Sequence, residues 1–578
     1  MSEKNKARRI EIIIFAVYCI SWILVSVFHE PWFDEAEAWQ IARDASLKDI
    51  LFVLPHYEGH PPLWHLILSV PAKLGVPYEI GLKTVGFLLS SASAFLLIFL
   101  SPLPERIKCL LPFTYFLFYQ YGVIVRPYTM LLLALLLSAL TFRSRDRHPF
   151  RFVFMLMLVC LSSAYGVVIA GGIAAAWVLD LTAEYRKEKK FRLILSDRRF
   201  RALFSLLIAA ILMILQFLPY PDTLGINTSK DNNMPVRFVY SFFVSVSDCF
   251  LTDMIGGSES VIYALSELAA PAFIGIVLFF GLTLLSGKKE LKYLIVPHVF
   301  LAGFTALVYF YRHHLGVFAL MIVFWVWIAL DSDDKLYYGR LLLQNKHIKT
   351  EREKKLIRIL LSMVCGLCVV MPISWSVAAS VSDIRLPYNY SREVAAYISD
   401  NHLEELNIML PWGIDYYVLD NRQSPEIDEL AQCSNAYNYA FGMASLPYFD
   451  KNIFSNLNVL DDHAAYNIHK AASEEENREI FSAWAENGLP EVMLSALPLK
   501  AIYQDSEYPF DLWDYSPVCK INNAGIGIWK WNASCFPDYI YARKDVIERY
   551  HLEKVPVDID YAIASGLPLS YFDVEKEP

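Results

Sequence analysis

Long apolar runs alternate with short polar ones through the first two thirds of the chain. The runs cover residues 10–28, 80–100, 108–122, 124–142, 152–163, 167–180, 202–219, 268–286, 293–311, 314–330 and 357–378. Each is about as long as a helix that crosses the hydrocarbon core of a bilayer. The pattern predicts a polytopic α-helical membrane protein with about eleven crossings. The two runs that meet near Tyr165-Gly166 read either as a tight hairpin or as one tilted helix. Segment 61–75, PPLWHLILSVPAKLG, is apolar but short, starts with two prolines and is interrupted by Pro71. It reads as a juxtamembrane helix lying in the interface, not as a crossing. Segment 236–251, VRFVYSFFVSVSDCFL, reads as a second surface helix or a lid.

Beyond residue 380 the periodicity changes. LNIML (406–410), EVMLSAL (491–497) and GIGIWKW (525–531) read as strands, whereas SREVAAYISDNH (391–402) and EEENREIFSAWAENG (474–488) read as helices. The chain therefore divides into a transmembrane domain, 1–380, and a C-terminal soluble α/β domain, 381–578.

Charge assigns the sides. Loop 143–151 has four bases and one acid, loop 181–201 eight bases and three acids, and loop 331–356 seven bases and five acids. Segment 29–79 instead has eight acids and three bases, and segment 220–267 six acids and two bases. By the positive-inside rule the N-terminus, with Lys4, Lys6, Arg8 and Arg9, is cytoplasmic, and the acidic loops and C-terminal domain are extracytoplasmic. The first apolar run is too long for a signal-peptide core and reads as a retained anchor. The net charge of −9 hides an acidic C-terminal part with 32 acids and 14 bases. The bases form no continuous stripe, so nothing points to nucleic acid. The one CxxC spacing among the nine cysteines, Cys365 to Cys368, lies in an apolar run, no metal-ligand framework appears, and at most one disulfide is expected among Cys433, Cys519 and Cys535.

The candidate chemistry lies in the first outer loop, 29–79. HEPWFDEAEAWQIARD (29–44) and YEGHPPLWH (57–65) concentrate the acids Glu30, Asp34, Glu35 and Glu37 with several aromatics. FDEAEAWQIA is predicted to be a short helix with acids in its first turn. The topology brings Lys83, Arg126-Pro127-Tyr128 and Arg312-His313-His314 to the same membrane face. Carboxylates suited to base catalysis then meet cations suited to a phosphate, beside lipid. Each residue also has a plainer role: Asp34 as a helix cap, Arg126 and Lys83 as snorkelling cations, His313 and His314 as interfacial aromatics, and His60 as a helix-entry residue. Spacing alone brings no metal ligands together. P-loop, dinucleotide, GxSxG and HExxH motifs are absent. Asp331-Ser332-Asp333-Asp334 looks like a DxD motif but falls on the cytoplasmic side.

The order W-F-D-E-A, G-H-P-P-L-W, Lys83 and then R-P-Y over residues 1–380 resembles the GT-C superfamily of integral membrane glycosyltransferases. More narrowly, it is similar to bacterial relatives of the dolichyl-phosphate-mannose protein mannosyltransferases and of the lipid A aminoarabinose transferase. The resemblance implies a polyprenyl-phosphate-sugar donor, an unknown extracytoplasmic acceptor and a site at the outer face of a bacterial plasma membrane. It implies Asp34 as the base with Glu35 beside it, and Arg126 on the donor phosphate. Lys83, Arg312, His313 and His314 would assist at the phosphate. Glu37, Trp39, His60 and Tyr128 are the substrate-binding candidates. The tandem histidines depart from the Arg-Tyr pair of many relatives. No cofactor is required, no metal ligand is assigned, and a divalent cation is optional. A single base favours inversion at the anomeric carbon. A lipid-linked-sugar transporter or a non-catalytic envelope protein is the alternative. A transporter more often shows internal repeats and mid-span polar groups, and the chain shows neither.

Overall fold

The computed structural model describes residues 3–187, 195–223, 234–252, 261–310, 312–344, 350–386, 388–410, 442–456, 469–470, 474–495, 514–521, 527–528, 531–532 and 538–557. The first helix, α1 (Glu3–Phe28), leads into an outer loop built from four short helices: α2 (Phe33–Asp44), α3 (Leu47–Phe52), α4 (Pro55–Glu58) and α5 (Leu63–Lys73). Helices α2 and α5 are the two that the sequence predicts in this loop. Helix α6 (Tyr78–Phe95) follows and ends in a π-type turn, Leu96–Leu100. The apolar run 108–122 is not one helix. It is split into α7 (Glu105–Leu110), a 3-10 turn at Leu111–Phe113 and a π-type stretch at Phe116–Val123. Pro112 inside this run cannot donate a helical hydrogen bond, which accounts for the break.

The remaining apolar helices are α8 (Pro127–Phe142), α9 (Pro149–Cys160), α10 (Ala164–Lys187) and α11 (Arg198–Gln216). The break at 161–163 resolves the two runs near Tyr165 into a hairpin of separate helices. Helices α12 (Met234–Val239) and α13 (Ser245–Phe250) flank a π-type stretch, so segment 236–251 is helical as expected. Helices α14 (Val261–Thr283), α15 (Lys292–Leu307), α16 (Gly316–Leu330), α17 (Tyr337–Leu343) and α18 (Glu351–Arg385) complete the helical part.

Among the described residues six helical segments are long and apolar enough to cross a membrane, and four more apolar helices are shorter. Two of them show how this part is layered. Helix α16, GVFALMIVFWVWIAL, buries every side chain except Val326 and Leu330, so it forms the centre. Helix α11 buries only Ala202, Leu203 and Leu206 and turns Leu207, Ile211, Leu212 and Leu215 outward. Helix α18 likewise exposes Leu356, Leu360, Met363 and Leu367. Apolar surface of this kind is unfavourable in water, at about 25 cal/mol per Å². It suits lipid, and the molecule is a helical membrane protein. At the end opposite the acidic loop, Asp331 and Asp333 pair with Arg143, a structural use for the DxD-like residues.

The C-terminal part has its own core. Helix α19 (Ser391–Asp400) packs Val394 and Ile398 against Ile408, Val492, Val518 and Ile540. Strands β1 (Ile408–Met409), β2 (Val492–Ser495) and β3 (Tyr515–Ile521) join β6 (Asp538–Arg543) in one sheet of order β1-β2-β6-β3. Only β1 and β2 run parallel. The predicted strand 525–531 is instead a small hairpin of β4 (Gly527–Ile528) and β5 (Trp531–Asn532). Helices α20 (Glu474–Asn487) and α21 (Lys544–Tyr550) flank the sheet strands in sequence. Cys519 is a free thiol; Cys433 and Cys535 lie outside the described residues.

This second part sits on the outer loop. Phe33 packs against both cores. Arg43 donates to the carbonyls of Pro447, at 3.3 Å, and Phe449, at 3.1 Å. Asn389 donates to the carbonyl of Pro31.

Candidate functional site

The site begins with a proline. Pro127 disfavours helical backbone at the residue before it, so Arg126 is extended, with φ −126° and ψ 171°. The chain is therefore interrupted between the π-type stretch and α8, which releases the Val125 amide from helical bonding. A buried amide needs an acceptor. Glu35 provides it: Val125 donates to Oε1 at 2.7 Å. The other oxygen, Oε2, accepts the Trp32 amide at 2.9 Å, closing the first turn of α2. Glu35 thereby bolts the start of α2 to the backbone beside Arg126.

That bolt is extended by His29. Its Nε2 lies 3.2 Å from Glu35 Oε2 and its Nδ1 lies 2.8 Å from Asp383 Oδ2, on α18. Tyr119 donates to the same Asp383 oxygen at 3.0 Å. Burial alone would lower the His29 pKa. The carboxylates of Asp383 and Glu35 outweigh it and push the pKa up to about 9. With an acceptor on each ring nitrogen, His29 is a doubly protonated cation.

One residue before Glu35, Asp34 stands at the edge of the loop. Its Oδ2 is 2.5 Å from Arg126 Nη2, with the Asp34 side chain 22% exposed and that of Arg126 9% exposed. Arg126 Nε and Nη1 are buried and meet no hydrogen-bond partner among the described residues. Its guanidinium carbon is 5.5 Å from the centroid of the Tyr128 ring. Around Tyr128 stand His60, 6.3 Å away between ring centroids, His314 at 5.6 Å and Tyr121 at 4.8 Å. Tyr165 hydroxyl and His314 Nδ1 are 3.0 Å apart, and Tyr121 donates to the His313 carbonyl at 2.8 Å. Burial, reinforced by the charge of Arg126, lowers the pKa of His60 to about 3 and moves His313 well below the usual range. For His314, burial acts first, then His313 and Arg126, in the same direction. These rings are neutral at pH 7, and among the described residues Arg126 is the positive charge that acts on all three.

On the other side of Asp34, Glu37 and Glu58 face each other beneath His469. Glu37 Oε2 is 3.5 Å from His469 Nε2. Burial raises the pKa of both carboxyls well above the ordinary range, and nearby carboxylate charge adds to it: that of Asp34 on Glu37, and that of Glu37 on Glu58. Glu58 reaches this place because α4 ends at Gly59, which has φ +62°, a left-handed cap suited to glycine. Glu58 and His60 adjoin the turn, Glu58 beside Glu37 and His60 beside Tyr128.

The structure thus brings together Asp34, Arg126, Tyr128, His60, His313 and His314, with Glu37 on the flank. It sets apart two other candidates. Lys83 donates to Glu79 and, at 2.9 Å, to the His29 carbonyl, and Glu79 is held in turn by Arg392 and Tyr448. Trp39 is 1% exposed and packs its ring against α6, where a methyl group on Gly81 would meet it at 2.2 Å. The Arg312 side chain lies outside the described residues. Sequence reasoning left out His29, Asp383, Tyr121, Tyr165 and His469. The tyrosines follow short apolar stretches and look like core. His469 has no local signal, since its partners lie in the first outer loop.

As a chemical object, this is a buried arginine with donors to spare, paired to a half-buried carboxylate at the membrane end of an aromatic cluster. Such an arginine is suited to an anion, and such a carboxylate to a proton. No protein-family model matches the chain, and no match to it is found among the curated proteins.

Proposed function

We propose that the protein is a glycosyltransferase that moves a sugar from a polyprenyl-phosphate donor to an extracytoplasmic acceptor. The observation that carries this reading is the state of Arg126. It holds Asp34 through Nη2 while Nε and Nη1, both buried, have no partner among the described residues. One guanidinium can therefore grip a phosphate and space the base from it at once. The resemblance of W-F-D-E-A and R-P-Y to GT-C enzymes supports the same assignment.

In this mechanism the donor phosphate takes the free edge of Arg126, and its lipid tail runs between spans. The acceptor hydroxyl attacks the anomeric carbon from the face opposite the phosphate. Asp34 takes the hydroxyl proton as the new C–O bond forms. The bond from the anomeric carbon to the phosphate oxygen breaks, and its electron pair leaves with the lipid phosphate. Arg126 stabilises that growing negative charge. His60 and Tyr128 line the sugar or phosphate, and Glu35 holds Asp34 and Arg126 in register. The configuration inverts. About eleven crossings place the N-terminus in the cytoplasm and both the site and the C-terminal domain outside.

The test is transfer from a radiolabelled polyprenyl-phosphate sugar by purified wild type and Asp34→Asn, in one detergent and with matched thermal stability. A variant that binds donor but transfers about 10²–10⁴-fold more slowly fits a lost general base. Equal rates in both would remove Asp34 from that role, and no turnover by wild type over several sugars and acceptors would sink the enzyme reading.

A further inference from the structure

The triad beside Asp34 has a feature that glycosyl transfer by Asp34 and Arg126 does not use. Glu37 and Glu58 are within hydrogen-bonding reach of each other, and among the described residues no donor reaches Glu37 Oε1 or Glu58 Oε1. Glu37 is 2% exposed. A buried carboxyl and a half-buried one in this arrangement require either a shared proton or a cation between them. His469 arrives from the C-terminal part with its side chain 35% exposed, so one side of the group is open to water. One ligand atom from each of the three residues lies within 4.8 Å of the others. Ligands around one tetrahedral ion, each at about 2.0–2.2 Å, stand about 3.3–3.6 Å apart. A single ion can thus reach all three with small side-chain movements.

The geometry points to a mononuclear divalent-metal site formed by Glu37, Glu58 and His469. The donor set names the class of metal. Carboxylate oxygens alone would suit Mg²⁺ or Ca²⁺, whereas an imidazole beside two carboxylates suits Zn²⁺ or Mn²⁺. Three protein ligands leave a coordination position open, as sites that bind water or substrate do. The ion does two things at this place. It satisfies carboxyl oxygens that otherwise have no donor, and it ties α2 and α4 of the outer loop to a residue contributed by the C-terminal part. That tie extends the contacts made by Arg43 and Asn389 around the same loop. Asp34 is close enough for its charge to act on both glutamates, so the metal sits beside the proposed base. The inference extends the site of the proposed transfer, but its test reads binding without turnover. A failed metal titration and a failed transfer assay are therefore separate results.

The test uses full-length protein in detergent, stripped with EDTA and dialysed. Titration with Zn²⁺ alone and Mn²⁺ alone, followed by elemental analysis, measures stoichiometry and affinity. One equivalent of either metal is expected, with a rise in thermal midpoint on binding. His469→Ala and Glu58→Gln should each weaken binding by about 10-fold or more. His551→Ala, at an exposed histidine outside the triad, should leave binding unchanged. His469 is partly exposed, so its variant keeps the test valid if Glu58→Gln does not fold. Wild type that binds neither metal saturably, or binding that survives His469→Ala, overturns the inference and leaves the shared proton as the explanation.

Discussion

Two arginines, Arg126 at the start of α8 and Arg392 in α19, are both paired with carboxylates, yet they are built for different ends. Arg392 joins a closed cluster. Glu79 accepts Arg392 on both oxygens, Tyr448 on Oε1 at 2.7 Å and Lys83 on Oε2, while Arg392 and Lys83 also donate to the His29 carbonyl. Every oxygen of Glu79 is occupied twice. Among the described residues Arg126 has one carboxylate partner, through one nitrogen, and two further nitrogens buried without any. Leaving a buried donor unmet costs about 1–3 kcal/mol, so such a residue persists where something else meets the need. Saturation distinguishes a cluster that locks two parts of the fold from one that awaits a ligand.

The strongest way to break this comparison is to remove each cation in turn. Arg126→Gln should cut sugar transfer by about 10²–10³-fold, the range seen when one preorganised donor to a developing charge is lost. Lys83→Met should leave transfer nearly unchanged and cost about 1–2 kcal/mol of stability, because Glu79 keeps Arg392 and Tyr448. Transfer rates and thermal unfolding on the same samples separate the two. Loss of donor binding in Lys83→Met would erase the distinction.

Next in size is the bolt that holds the open pair in place. Glu35 accepts from Val125, Trp32 and His29, all as a carboxylate. Glu35→Gln offers only one acceptor oxygen and turns an amide group toward donors. Stability should fall by about 2–4 kcal/mol, and denaturation of the purified variant measures it. A variant as stable as wild type would mean that Glu35 is not the bolt.

Part of this architecture was legible in the chain and part was not. R-P-Y announces the site because Pro127 acts on its immediate neighbour, and local rules reach that far. The helix in FDEAEAWQIA and the interfacial helix after His60-Pro61-Pro62 follow from spacing and proline placement. Lys83 and Arg126 looked alike because each is a cation at the end of an apolar run. What separates them is Arg392, more than three hundred residues from Lys83 and visible only once α19 has docked. The same holds for Asp383 against His29 and for His469 against Glu37. Trp39 illustrates the reverse: an aromatic in the acidic loop suggests a sugar platform, but Gly81 gives it a cleft in α6 to fill.

A pH series sharpens the role of His29. Its folded pKa of about 9 lies above the ordinary value of 6.5, so the stability it contributes is complete below pH 6.5. That contribution is lost as pH rises through 9. The shift corresponds to about 3 kcal/mol. Wild-type thermal stability should decline between pH 7 and 10 more steeply than that of His29→Gln, which has no such group to titrate. Parallel curves would mean that the Asp383–His29–Glu35 chain does not hold the proton described.

The smallest expected effect concerns the turn that divides the two halves of the site. Gly59 adopts φ +62°, and a methyl group added there would meet nothing within 4 Å. Gly59→Ala therefore tests backbone conformation alone. An L-residue in the left-handed region costs about 1–2 kcal/mol, and asparagine, whose side chain bonds locally, tolerates it better. Gly59→Ala should lower stability by about 1 kcal/mol, with Gly59→Asn closer to wild type. Because Glu58 and His60 adjoin this residue, relaxing the turn moves a ligand of the proposed metal site and a neighbour of Tyr128 together. Zinc affinity and transfer should then weaken in the same variant and recover in the same variant. If Gly59→Ala weakened one and spared the other, the two flanks of Asp34 would be independent, and the turn would be a connection and not a coupling.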